Sequence, residues 1–366
     1  MAKPSYKNKR ARPRKPAQSA GDRDRAPAEN RRTKLPGKSH GERLQQNAHP
    51  TSETPSRPSR LRWTGARLPE TYGVVLKCPT DTQYALIDSG DGEKLERYGP
   101  LTIRRPEGQA LWQKTSPDLW TGVDAHFTGN TEEEGKGRWF FPEGELAETW
   151  PLDFDGVGFH GRFTSFRHLG VFPEQAPHWR AMRKAIEAAG RPLRVLNLFG
   201  YTGIASLVAA ATGAHVTHVD ASKKAIGWAR ENQSLAGLEN ASIRWICDDA
   251  VKFCAREVKR EQSYDIILLD PPAYGRGPKG EVWQFFDDVP HLLDLVRQLQ
   301  SEKPVMTILT SYAIRASSFA LHEVMQEVFA GLDGRLESGE LVLQQEVGGR
   351  LLSTSMFSRF IGADDA

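Results

Sequence analysis

Apolar positions along the chain fall into two textures. From about Leu61 to Trp150 they form short runs, YGVVLKC (72–78) and YALIDSG (84–90), cut by Pro79, DSGDG and GP. Brief β-rich runs between turn residues predict a small β-rich domain over 61–150. Its tryptophans, Trp112, Trp120, Trp139 and Trp150, read more readily as the core of a small sheet than as platforms for stacked bases. LDFDGVGFHGRFTSF (152–166) alternates apolar and polar residues around Gly156 and Gly158 and predicts a hairpin.

From about Arg191 strands alternate with helices. RVLNLF (194–199), HVTHVD (215–220), SIRWI (242–246), DIILLD (265–270) and VMTILT (305–310) read as strands. Helices are expected at about 203–212, from a Ser222 cap to about 235, and at about 250–259, 282–300 and 316–330. Two strands, LVLQQEV and STSMFSRF, close the chain. This alternation predicts an α/β domain with a mostly parallel sheet. The expected organisation is an arm over 1–60, the small β domain over 61–150, and a third domain over 151–366, made of a β lead-in (152–190) and an α/β core (191–366).

Charge separates the arm from the rest. The 366 residues carry a net charge of +3, but residues 1–60 hold sixteen Lys and Arg against five Asp and Glu, a net +11. That leaves 33 basic and 41 acidic residues, −8, for the remainder. A segment this poor in apolar side chains cannot offset its ordering entropy, so a disordered basic arm is expected. Such an arm attracts phosphate backbones without reading sequence. Its acidic residues and lack of amphipathic period argue against a transit peptide. No run of about 18 apolar residues occurs, so no membrane span is expected. Three cysteines, Cys78, Cys247 and Cys254, fit neither a disulfide framework nor a metal site, and a reducing cytoplasm is the expected compartment.

In an open α/β sheet, ligands bind beyond the carboxyl ends of the strands. The first core strand runs into NLFGYTG, which contains Asn197, Phe199, Gly200, Tyr201, Thr202 and Gly203. The second ends on Asp220, the third leads into Asp248 and Asp249, and the fourth ends on Asp270. Each acid alone could be a cap or turn residue. Together they offer glycine, acid, acid, acid at four adjacent strand ends. A dinucleotide site would want G-x-G-x-x-G and room for a pyrophosphate. Acids instead suit a cofactor with cationic centres and no phosphate, such as S-adenosylmethionine (SAM), with a carboxylate for ribose hydroxyls and another for the adenine amine.

These residues carry a resemblance. HLGVFPEQAPHW (168–179), VLNLFGYTGIASL, VTHVDASKKAIGWARENQ, CDDAVKF, LLDPPAYGRG and GRLLSTSMFSRF resemble class I SAM-dependent methyltransferases, and within them bacterial enzymes that methylate bases of large-subunit ribosomal RNA. The resemblance implies a Rossmann-like, mostly parallel sheet whose last strand is antiparallel. It implies that Asn197, Gly200 and Gly203 hold the methionine part, Asp220 the ribose and Asp249 the adenine, with Phe172 to Gln175 covering the cofactor. It also implies that Asp270, Pro271, Pro272 and Tyr274 line the target pocket, the acid accepting from a base edge and the aromatic stacking on the ring.

An unperturbed aspartate is ionised at neutral pH, so Asp270 is an acceptor, and the two prolines fix its pose. Methylation of cytosine C5 requires a thiolate that adds to the ring. The related C5 enzymes place that cysteine after the fifth strand, where this chain has Ser311 and Tyr312. A ring nitrogen needs no covalent step and is the expected target. Two alternatives stay open: a non-catalytic RNA-binding or ribosome-assembly factor on the same fold, and a methyltransferase for small molecules or proteins.

Overall fold

The structure is a computed structural model describing residues 59–78, 80–81, 83–129, 137–312 and 314–363. Nearly all of the basic arm and the Pro79 turn signal lie outside the described residues.

Eight strands precede the first α-helix: β1 (Glu70–Cys78), β2 (Tyr84–Gly90), β3 (Glu93–Tyr98), β4 (Leu101–Pro106), β5 (Ala125–Thr128), β6 (Arg138–Phe140), β7 (Thr149–Phe154) and β8 (Val157–Arg162). There follow α1 (Ala176–Ala188), β9 (Arg194–Leu198), α2 (Ile204–Ala211), β10 (His215–Asp220), α3 (Lys223–Leu235), β11 (Ile243–Cys247), α4 (Ala250–Lys259) and β12 (Ile266–Leu269). The chain ends with β13 (Tyr274–Arg276), β14 (Val282–Gln284), α5 (Phe285–Gln298), β15 (Met306–Ser311), α6 (Ser318–Phe329), β16 (Gly334–Gln344) and β17 (Leu351–Gly362).

The large sheet has the order β1-β16-β17-β15-β12-β9-β10-β11. Strands β11, β10, β9, β12 and β15 run parallel, and β17 is antiparallel to both β15 and β16. This is the expected class I methyltransferase layout, with the antiparallel strand inserted as the resemblance implies. Each central strand is covered on both faces. Val195, Ile266 and Ile308 point into one apolar cluster with Met182 and Leu207. Leu196, Ile267 and Leu309 point into the other with Phe253, Leu293 and Met325. That double burial is why these strands read as continuous apolar runs rather than alternating ones.

The structure differs from the sequence reading in three places. The run YGVVLKC joins the large sheet: β1 pairs in parallel with β16 rather than with β2. A helix, α1, occupies the end of the expected β lead-in; its first turn contains Pro177, a residue tolerated where the N–H has no intrahelical partner. And the start of the helix expected from 282 is strand: β14 pairs with β13 in a short antiparallel hairpin.

Strands β2 to β6 form a separate sheet in the order β2-β3-β4-β5-β6. Its buried centre is ionic. Arg105 grips Glu96 with Nε and Nη2 at 2.7 and 2.8 Å, and both side chains are buried. Trp120 and Trp150 are buried and Trp112 and Trp139 pack against the core, so the tryptophans serve as core packing. Strands β7 and β8 form the expected hairpin, turning at Asp155 and Gly156, both in the left-handed region (φ 47° and 85°). Among the described residues no helix is long and apolar enough to cross a membrane.

Candidate functional site

Register brings the carboxyl ends of the central strands to one edge. Leu198 lies level with Val219 and with Leu269, and Leu269 with Leu309. The residues after these ends line a cleft of about 760 Å³ that includes Phe172, Asp220, Asp248, Asp249, Asp270 and Tyr274. A smaller recess of about 70 Å³ adjoins it, sharing Phe172, Phe199, Tyr201 and Asp270.

The loop after β9 is wound tightly. Phe199 and Tyr201, neither a glycine, have φ of 56° and 50°, and Gly203 has φ of 82°. Left-handed backbone costs about 1–2 kcal/mol for a non-glycine residue, so neighbours must hold it. They do: Gly200 N–H donates to Val219 O at 3.1 Å, Tyr201 N–H to Asp220 Oδ2 at 2.9 Å, and Thr202 Oγ1–H to Gly170 O at 2.6 Å. At Gly200 a Cβ would meet the His218 ring at 2.4 Å; at Gly203 one would come within 2.9 Å of Ala229. Beneath the loop, Asn197 Nδ2 donates to Ser206 Oγ at 3.0 Å, and Ser206 Oγ meets His218 Nδ1 at 2.9 Å.

Asp220 is fixed by two backbone donors, Tyr201 N–H and Ser222 N–H (2.7 Å to Oδ1). Burial pushes its carboxyl above the usual range, and these two hydrogen bonds only partly offset that. A carboxylate offers about four lone-pair sites, so two remain for further donors.

The next two acids have structural partners. Asp249 caps α4, accepting from Lys252 N–H at 2.9 Å. Asp248 pairs with Arg256 and accepts from the Asp249 N–H at 2.9 Å. Both still line the cleft.

Asp270 sits where the cleft and the recess meet. Gln175 Nε2 donates to its Oδ2 at 3.2 Å and to the Tyr312 hydroxyl at 3.1 Å. Trp283 Nε1–H donates to Pro272 O at 2.7 Å and packs on Phe199 with centroids 5.0 Å apart. The Asp-Pro-Pro turn is thereby clamped. Tyr274 follows on β13, 43% exposed at the cleft wall. So every sequence-predicted residue except Asn197, Gly200, Thr202, Gly203 and Gln175 lines the cleft, and of those five all but Gly203 line the recess.

Sequence reasoning missed Trp283, which holds the Pro272 carbonyl, and Tyr312, which shares the Gln175 amide with Asp270. Gln175, expected to cover the cofactor, lines the recess and bonds Asp270. No spacing rule marks contacts across 95 and 137 residues.

The family of S-adenosylmethionine-dependent methyltransferases matches residues 115–329. The chain belongs to this family. A SAM-dependent methyltransferase from Agrobacterium tumefaciens is 55% identical, with a TM-score of 0.81 over 83% of this chain and 98% of that one. A further solved structure, described as a methyltransferase complexed with SAH (S-adenosylhomocysteine), is 17% identical with a TM-score of 0.59 over 76% of each chain, a likeness of fold alone. Among curated proteins, a ribosomal RNA large subunit methyltransferase K/L from Magnetococcus marinus is 36% identical over 121 residues, 32% of this chain and 16% of the relative. Another from a Shewanella species (strain ANA-3) is 32% identical over 165 residues, 44% of this chain and 22% of the relative. The chain thus matches less than a quarter of the length of these relatives.

The methyltransferase uses SAM as its cofactor. The donor set fits that group. A buried carboxylate with two lone-pair sites to fill suits a diol, and no cationic side chain competes for a sulfonium among the residues lining the recess.

Proposed function

We propose that this methyltransferase methylates a base of RNA, ribosomal RNA in particular, at a ring nitrogen. The carrying observation is the clamped Asp270-Pro-Pro turn beside the exposed Tyr274 at a cleft wall that no cysteine lines. Cys78 donates to Pro173 O and is buried, Cys254 is buried, and the exposed Cys247 lies at the end of β11. Burial pushes the thiols of Cys78 and Cys254 well up, away from thiolate formation.

On this reading Asp220 accepts from the ribose hydroxyls, Asp248 and Asp249 face the adenine, and Asn197, Phe199, Gly200, Thr202 and Gly203 form the wall beside the methionine part, with Phe172 across the cleft. SAM supplies an electrophilic methyl group on sulfur. Asp270 accepts an N–H from the base edge, Tyr274 stacks on the ring, and Pro271 and Pro272 hold that pair in place. Methyl transfer is an in-line displacement, so alignment is the main device, worth at best about 7–11 kcal/mol. Gln175 and Tyr312 prevent Asp270 from turning away.

The names of the ribosomal RNA relatives support an RNA substrate, and so does the +11 charge of residues 1–60. The arm adds sequence-independent phosphate contacts, so deleting residues 1–58 should leave SAH binding intact and flatten the salt dependence of RNA binding.

The test is transfer of labelled methyl from SAM to ribosomal RNA, to protein and to small-molecule extracts, with the wild type and a variant whose three cysteines are serine. Label in RNA with both proteins supports the reading. Label only in protein or small molecules, a folded cysteine-free variant that is inactive, or covalent trapping on 5-fluorocytosine RNA overturns it.

A further inference from the structure

His178 lies in the first turns of α1 and is 2% exposed, its ring edge-on to Phe357 at 5.0 Å. Neither ring nitrogen has a hydrogen-bond partner among the described residues. Leaving a buried polar atom unpaired costs about 1–3 kcal/mol, whereas an apolar side chain of similar size would fill the space without that cost. Two other buried histidines each have a partner on at least one ring nitrogen: His218 Nδ1 meets Ser206 while its Nε2 is unpaired, and His322 on α6 lies between Ser338 and Glu70. Burial, with the nearby Arg359 charge adding to it, pushes the His178 pKa down to about 3. The ring is therefore neutral at pH 7 and carries one N–H donor.

His178 lines the recess next to Asp270, with Gln175, Asn197, Gly200 and Thr310. The recess lies beyond β9, β12 and β15, away from the Asp248 and Asp249 end of the cleft. If the ribose lies at Asp220 and the methyl group faces Asp270, the third substituent on sulfur, the amino-acid end, is directed at the recess. Its carboxylate meets no Lys or Arg there. The Gln175 amide is committed to Asp270 and Tyr312, and Asn197 donates to Ser206.

We infer that the His178 imidazole N–H binds the carboxylate at the amino-acid end of SAM and SAH. This assignment rests on the placement of the cofactor given above. It makes His178 a residue that distinguishes cofactors with an amino-acid end from the shorter methylthioadenosine, which keeps the nucleoside and lacks that end.

The test compares the affinities of the full chain for SAH and for methylthioadenosine by calorimetry. A hydrogen bond to a charged group is worth about 10- to 100-fold in affinity. His178→Leu should weaken SAH by that factor and leave methylthioadenosine within about threefold. His178→Gln, which keeps an N–H donor, should restore part of the loss. Wild-type protein gives a check that needs no variant: SAH should shift the His178 ring nitrogen resonances, and methylthioadenosine should not. Equal losses for both ligands, an unchanged SAH affinity, or a ring that does not respond to SAH overturn the inference. Asp220→Ala separates the two levels. If it leaves both affinities intact, the cofactor placement itself is wrong; if it weakens both while His178→Leu weakens neither, only the role of His178 fails.

Discussion

Gln175 Nε2 donates to Asp270 Oδ2 at 3.2 Å, and the same nitrogen donates to the Tyr312 hydroxyl at 3.1 Å. One amide thus ties the end of β12 to the end of β15 at the wall of the cleft. Removing it in Gln175→Ala should free Asp270 to reorient. Two hydrogen bonds of about 0.5–1.5 kcal/mol each are lost, so single-turnover methylation should slow about 10- to 100-fold. SAH affinity should change much less. A variant with normal turnover would show that Gln175 does not position Asp270.

Asp220 yields a pH prediction. Burial raises the pKa of its carboxyl in the free protein. Ribose hydroxyls donating to the ionised form would lower it again on binding. Ligand binding therefore favours the deprotonated acid, and SAH affinity should fall as pH drops through the raised value. Asp220→Ala should weaken SAH at neutral pH and abolish this acid limb. Calorimetry across pH checks both, and an acid limb that survives in the variant assigns the titration to another group.

The Glu96–Arg105 pair should matter for stability alone. Glu96 is fully buried; burial opposes its ionisation, but the charges of Arg105 and Lys94 outweigh that and lower its pKa. Arg105→Ala leaves a buried charge uncompensated and should cost about 3–5 kcal/mol in denaturant unfolding. Because the folded pKa is depressed, the stabilisation from ionised Glu96 is present above the ordinary carboxylate range. It is lost as pH falls through the folded value. Glu96→Gln should flatten that acid loss, and an unchanged acid unfolding profile would contradict this assignment.

Gly203 offers a local test of the loop. Its φ of 82° and the 2.9 Å approach of a Cβ to Ala229 make Gly203→Ala strained in conformation and in space. Destabilisation of about 1–3 kcal/mol is expected, with SAH affinity falling as the loop shifts. A thermal melt and a titration on the same sample decide it.

Much of this was legible in the sequence because the chemistry sits at strand ends. Double burial makes the parallel strands apolar runs, so HVTHVD was bounded to the residue, and Asp220 followed from its end. Ser222 marked a helix start through capping, and Asp249, read as an adenine-side acid, also caps α4. Asp249 also shows the limit: the same side chain serves as a cap and as a cleft residue, and spacing alone does not separate these roles. The pairing of β1 with β16 was illegible because nothing local in YGVVLKC specifies a partner some 260 residues away. Helix α1 was hidden by Pro177 in its first turn. The links from Gln175 to Asp270 and Tyr312 and from Trp283 to Pro272, and the isolation of His178, depend on tertiary contacts that no periodicity encodes.

The most direct measurement is mass spectrometry of ribosomal RNA nucleosides from cells lacking this protein, complemented with wild-type or Asp270→Ala protein. The account predicts one base methylated on a ring nitrogen that disappears in the deletion, returns with wild type, and stays absent with Asp270→Ala although that variant binds SAH. An unchanged methylation profile, or loss of a carbon-methylated cytosine instead, would contradict it.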